Sequence, residues 1–112
     1  MQLTVTGRHL QISDAMKQYA EEKAGKLPQH YDRTETAAIV LDHVSQTFKV
    51  EMVVRADHKH TFVAGAEGPD FYAAYDAALV KMERQLTRHK ERYRNRKHTG
   101  APQEVPSPEA EV

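Results

Sequence analysis

Between Lys81 and Lys97 the chain carries eight basic residues, Lys81, Arg84, Arg88, Lys90, Arg92, Arg94, Arg96 and Lys97, against only Glu83 and Glu91. Around them Tyr72, Tyr75, Leu79, Met82, Leu86 and Tyr93 step by three and four, which predicts a helix with one apolar stripe. At about 100° per residue, Lys81, Arg84, Arg88 and Arg92 make a second stripe roughly opposite the first. A rigid rod bearing a cation every three or four residues can meet several phosphates at once. Arginine adds two-pronged phosphate binding and stacking on splayed bases. Solvated helix faces ordinarily balance the two signs, and eight to two is not balanced. The expected partner is therefore a nucleic acid or another polyanion.

Other chemistry is thinly represented. Lys17, Lys23 and Lys26, with Arg8 before them, could widen the basic surface, although Glu21 and Glu22 dilute the signal and Lys23 can lie along an apolar edge. Tyr31 is expected in a loop, free to stack on RNA, whereas Tyr72 and Tyr75 sit on the apolar stripe and are expected in the core. His58 and His60 would point the same way in an extended segment, but spacing places no third ligand, so no metal or other cofactor is expected. Asp42 and His43 are adjacent acid and imidazole, yet neighbouring strand residues face opposite sides. With no Gly-rich phosphate loop, no nucleophile elbow and no cysteine in the sequence, catalysis is not expected.

The bulk properties agree with a binding protein. At 112 residues, 39% hydrophobic and 29% charged, the chain is long enough for one modest core. The absence of cysteine excludes a disulfide framework. No apolar run approaches a membrane span and the start lacks a signal-peptide core, so a cytoplasmic protein without membrane contact is expected. A formal net charge of zero hides segregation, because Gly100 to Val112 holds three glutamates, three prolines and no basic residue. Residues 99–112 are expected to form a disordered acidic tail beside a folded domain at 1–98.

The elements that would hold the basic helix follow from periodicity. Gln2 to Thr6 alternates as a strand, and Ser13 can cap a helix carrying Met16, Tyr19, Ala20, Ala24 and Leu27, ended by Pro28. Ala37 to Leu41 is an apolar run of strand length. Phe48, Val50, Met52, Val54 and Ala56 alternate with Lys49, Glu51 and Arg55, which predicts a strand wet on one side, as in an antiparallel sheet. Asp57 to His60 predicts a hairpin turn and Thr61 to Ala66 a further strand. Gly68-Pro69 opens the last helix, with Pro69 suited to its first turn. The order is β-α-β-β-β-α, an α+β fold with two helices on one face of a four-stranded sheet. A helix from Pro69 to near His98 spans about 45 Å, whereas strands of about six residues cover about 20 Å, so its end should overhang the body.

Several segments resemble the ribosome hibernation promoting factor and ribosome-associated inhibitor A family. They are Ala66-Glu67-Gly68-Pro69-Asp70-Phe71-Tyr72-Ala73-Ala74-Tyr75-Asp76 and Lys81-Met82-Glu83-Arg84-Gln85-Leu86-Thr87-Arg88-His89-Lys90 above all. Met1-Gln2-Leu3-Thr4-Val5-Thr6-Gly7 resembles the family's start, and Lys26-Leu27 with Tyr31-Asp32-Arg33 its first-helix exit. The resemblance implies a fold akin to double-stranded-RNA-binding domains, seated in the small-subunit channel between head and body. It implies occupancy of ground needed by mRNA and by A- and P-site tRNA, which idles ribosomes in stress or stationary phase. Lys23, Lys26, Lys81, Arg84, Arg88 and Lys90 would face rRNA, and Arg92 to Lys97 extends that basic end. The resemblance also implies whole ribosomes and ribosome dimers as partners, and a monomer off the ribosome. A short form without the long-form dimerisation domain is expected; the acidic tail resembles the inhibitor branch, and the core motif the promoting branch. Basic composition alone fits equally a general RNA-binding module or chaperone acting on free structured RNA.

Overall fold

The alternation across residues 48–56 is realised as an inner strand of a sheet, and its inward residues define the core. A computed structural model describes the backbone of residues 1–99 and the side chains of residues 1–93; of the tail expected over 99–112, Thr99 ends a helix and 100–112 lie outside the described residues. In chain order the elements are β1 (Gln2–Arg8), α1 (Asp14–Ala24), a 3-10 turn (Leu27–Gln29), β2 (Thr34–Val44), β3 (Thr47–Ala56), β4 (His60–Gly68) and α2 (Phe71–Thr99). The strands lie in the order β1-β2-β3-β4. β3 is antiparallel to both neighbours, as its pattern predicted, but β1 runs parallel to β2. A parallel pair needs a crossover, and α1 supplies it.

Register puts the apolar residues on one face. Val5 pairs with Ile39, Ile39 with Met52 and Met52 with Ala64, and the next row joins Leu3, Ala37, Val54 and Phe62. Directly paired residues share a face, so these rows form one apolar floor. Both helices lie on it: Ala20 and Ala24 of α1 and Ala74, Tyr75, Ala78, Met82 and Leu86 of α2 are buried in the same cluster. Each large side chain in that cluster contributes about 1.5–3 kcal/mol by leaving water. The opposite face carries Thr4, Ala38, Val53 and Val63, with Val63 48% exposed.

The helices are joined by their tyrosines. Tyr75, fully buried, donates its hydroxyl to the Ala20 carbonyl at 2.6 Å, and Tyr19 donates to Asp76 Oδ1 at 2.6 Å. The Tyr19 ring meets Phe71, Tyr72 and Tyr75 edge-on at 4.8–6.3 Å between centroids, in the geometry aromatic quadrupoles favour. Tyr72, expected in the core, is instead 40% exposed, because it sits at the rim of this group. Ser13 Oγ caps α1 by accepting from the Met16 N–H at 3.1 Å. Asp70 Oδ2 accepts from the Ala73 N–H at 3.0 Å, which makes Asp70 the cap of α2 and leaves Pro69 just ahead of the helix rather than within its first turn. Gly7 is required by packing: a Cβ there would meet the Leu10 carbonyl oxygen at 2.6 Å.

Boundaries differ from the sequence expectation in two places. The α-helical part of the first helix stops at Ala24, and Leu27 reaches the core from the 3-10 turn that Pro28 imposes. The hairpin strands hold 11, 10 and 9 residues rather than about six, because tight turns let pairing run to the ends. At 29 residues α2 is about 44 Å long. Past His89 no described side chain is buried, yet the helical backbone continues to Thr99. The overhang exists, and it is shorter than expected.

Two tests follow from this architecture. Val44 pairs with Thr47 across Ser45 (φ 50°) and Gln46 (φ 64°), a two-residue turn that needs left-handed backbone at both positions. Gln46→Gly should raise unfolding stability in urea by up to about 1 kcal/mol, and no gain would show the turn to be unstrained. The Asp76 hydrogen bond, then burial, pushes the Tyr19 hydroxyl up to about 12 from the usual 10. Burial, then the Asp57 bond, likewise raises Tyr31 to about 12. A raised folded value means the unfolded chain loses the proton first, so stability is complete below pH 10 and falls as pH rises from 10 to 12. The urea midpoint should drop across that window, and less so in Tyr19→Phe.

Candidate nucleic-acid interface

Helix α2 is held by a buried seam of Tyr75, Ala78, Met82, Leu86 and His89. That seam fixes the helix rotation and so decides where each cation points. Lys81, Arg84, Arg88 and Arg92 are all exposed and fall within about 80° of arc. Their stripe lies about 120° from the seam rather than opposite it, on the flank toward the free edge of β4. Two contacts establish the side: Lys81 Nζ donates to the Gly65 carbonyl at 2.8 Å and Gln85 Nε2 to the Val63 carbonyl at 2.8 Å. These bonds occupy edge carbonyls that could otherwise recruit another strand. Lys81 thus has a structural duty, although its amine keeps further donors.

The other candidates fall elsewhere. Lys90 is exposed about half a turn from Lys81, on the flank with Glu83 and Thr87, where His30 meets both at 3.5 and 3.4 Å. Lys26, just before the 3-10 turn, is exposed, and Lys23 is half-buried with Nζ 5.4 Å from the Tyr19 ring centroid. Because α1 packs on the β1 side and α2 over β3 and β4, the first-helix lysines and the Lys81–Arg92 stripe lie on opposite flanks of α2. The seven candidate residues therefore form two basic zones, with a shallow open depression lined by Val80, Glu83, Arg84, Thr87, Arg88 and Glu91 along the helix between them. Among the described residues, Arg84, Arg88, Lys90 and Arg92 enter no ion pair with a carboxylate. Unneutralised, they can release counterions from a phosphate backbone. The side chains of Arg94, Arg96 and Lys97 lie outside those described.

Tyr31 corrects the sequence reading. It is 3% exposed rather than free in a loop, and its hydroxyl donates to Asp57 Oδ2 at 2.6 Å, so it offers no stacking platform. Asp57 is the centre of a polar cluster that the sequence did not reveal. His89 Nε2 lies 3.1 Å from Asp57 Oδ2, His60 Nδ1 3.5 Å from the same oxygen, and Arg33 Nη1 3.8 Å from Oδ1. Burial raises the Asp57 carboxyl, but the bonds from Tyr31 and His89 outweigh it and hold the group below the usual carboxylate range. Burial depresses His89 despite the opposing pull of Asp57, which keeps the imidazole neutral. His58 turns away, its ring Nδ1 and backbone N–H both meeting Glu35 Oε2, at 2.8 and 2.9 Å. The signal for His89 was its phase, since Met82, Leu86, His89 and Tyr93 continue one stripe; the surrounding cations masked it. Asp42 pairs with His9 at 3.0 Å rather than with the His43 ring, and that hydrogen bond lowers its carboxyl.

No described helix is long and apolar enough to cross a membrane. The family model described as sigma 54 modulation protein / S30EA ribosomal protein matches residues 3–94. A ribosome hibernation promoting factor of Azotobacter vinelandii is 33% identical over 108 residues, covering 96% of this chain and 100% of that protein. The protein of the same name from Escherichia coli K12 is 37% identical over 94 residues, covering 82% and 96%. Among solved structures, a ribosomal subunit interface protein from Coxiella burnetii superposes with a TM-score of 0.75 at 26% identity, covering 81% of this chain and 99% of that one. The N-terminal domain of Thermus thermophilus Protein Y gives 0.72 at 31% identity, covering 80% and 99%. The order β-α-β-β-β-α, the α2 motif and these likenesses agree: the chain belongs to the sigma 54 modulation protein / S30EA ribosomal protein family, that of the ribosome hibernation promoting factors.

Proposed function

We propose that this chain is a ribosome hibernation factor that binds the small subunit in the decoding channel and represses translation by occupancy. The observation that carries the reading is the stripe Lys81, Arg84, Arg88 and Arg92, exposed on the rigid helix of a family fold and paired with no described carboxylate, with Lys81 also bonded to the Gly65 carbonyl of the β4 edge. Rigid spacing of cations along one helix suits rRNA phosphates held in fixed positions. Lys23, Lys26 and Lys90, on the other flank, give the body a second basic zone, so that the wedge can lie between two rRNA surfaces. Its bulk then covers ground required by mRNA and tRNA. The reading needs no catalytic group and no cofactor; it makes the protein cytoplasmic, monomeric off the ribosome and able to influence ribosome pairing through the surface it occupies.

Co-sedimentation with purified ribosomes and separated subunits tests this directly. The protein should travel with small subunits and whole ribosomes, and tRNA should displace it. In Arg84→Glu/Arg88→Glu binding should weaken, and the slope of log affinity against log salt should shrink by roughly two, about one per lost phosphate contact. Full binding by that double variant would remove the stripe from the interface. Equal affinity for ribosomes and for unrelated structured RNAs would replace the reading with a general RNA-binding module.

A further inference from the structure

We propose that Asp57, His60 and His89 form a binding site for a transition-metal ion of the zinc class, clamping helix α2 to the β3–β4 turn. One ligand atom from each of the three lies within 4.8 Å of the others. A tetrahedral ion with bonds of 2.0–2.1 Å requires ligand atoms about 3.3–3.4 Å apart. Two of the three separations already approximate this: 3.1 Å from His89 Nε2 to Asp57 Oδ2 and 3.5 Å from His60 Nδ1 to the same oxygen. The third closes by rotation of the His60 ring, whose side chain is 44% exposed and whose centroid stands 4.5 Å from that of His89.

A second, independent observation points to a ligand. Asp57 Oδ1 and His60 Nδ1 are buried atoms with no hydrogen-bond partner, where most such atoms in folded proteins have one. An ion held on Asp57 Oδ2 satisfies His60 Nδ1, while Oδ1 faces Arg33 Nη1 at 3.8 Å. The positioning is also built: Tyr31 donates to Asp57 Oδ2 at 2.6 Å and orients the carboxylate, as partners of ligating carboxylates do. Asp57 itself sits in left-handed backbone (φ 57°), with its N–H bonded to the Arg33 carbonyl at 3.2 Å.

The donor set selects the metal. Two imidazole nitrogens and one carboxylate suit Zn²⁺, Ni²⁺ or Cu²⁺, whereas Mg²⁺ and Ca²⁺ want oxygen. The Arg33 guanidinium, 3.8 Å from Oδ1, opposes any cation and further disfavours weakly held hard ions. A fourth position remains for water on the exposed side of His60. The site joins His89, the last buried residue among the described side chains of α2, to the hairpin turn, so a bound ion fixes the direction in which the helix leaves the body. This inference does not depend on ribosome binding.

The test uses the full chain, purified without a histidine tag and stripped with chelator. Titration with Zn²⁺ in a calorimeter should show about one ion per chain, and Co²⁺ should give the intense visible bands of tetrahedral coordination. The melting temperature should rise with Zn²⁺. His60→Asn, at a half-exposed position that tolerates change, should weaken binding by roughly tenfold or more and abolish the thermal shift. His9→Asn and His58→Asn, which alter the exposed pairs with Asp42 and Glu35, should bind as the unaltered chain does. Absence of binding, octahedral Co²⁺ spectra, or unchanged affinity in His60→Asn would each overturn the assignment. The spectra of the unaltered chain decide the matter even if a variant misfolds.

Discussion

Tyr75, Met82 and Leu86 lie at zero exposure beneath α2, and the Tyr75 hydroxyl is bound to the Ala20 carbonyl of α1. This seam is the constraint from which the rest of the surface follows. A helix buried along one line cannot rotate without exposing large side chains, at about 1.5–3 kcal/mol each. Its azimuth is therefore set, and so is the direction of every cation upon it. Lys81 and Gln85 are brought to the β4 edge, Arg84 and Arg88 are left facing water, and Lys90 is sent to the other flank. Surface charge in this protein is positioned by its core.

The same seam accounts for the polar cluster at its lower end. Where Met82 and Leu86 meet aliphatic floor, His89 meets the β3–β4 turn, whose backbone presents Asp57 inward. A buried carboxylate is costly unless it is bonded. Here Tyr31 and His89 bond it, with Arg33 beyond. The arrangement converts two loops and a helix end into one polar joint, at the point where α2 leaves the sheet. Rigidity there matters for any ligand that reads the helix beyond it.

Much of this was legible in the chain itself. Alternation at residues 48–56 determined a strand with one wet face, and the three-four stepping from Tyr72 to Leu86 determined the long helix; both periods are local consequences of backbone geometry. The order of elements, the one-sided placement of the helices and the family motif were equally present in the sequence. What tertiary structure alone decided concerns partners far apart in the chain. The pairing of β1 with β2 in parallel, the burial of Tyr31 against Asp57, the separation of Lys23 and Lys26 from the Lys81 stripe, and the meeting of His60 with His89 all depend on contacts across 26 or more residues. Periodicity reports which face of an element is apolar but carries no information on which element covers it. For that reason the sequence announced the basic helix, and only the fold could assemble the Asp57 cluster.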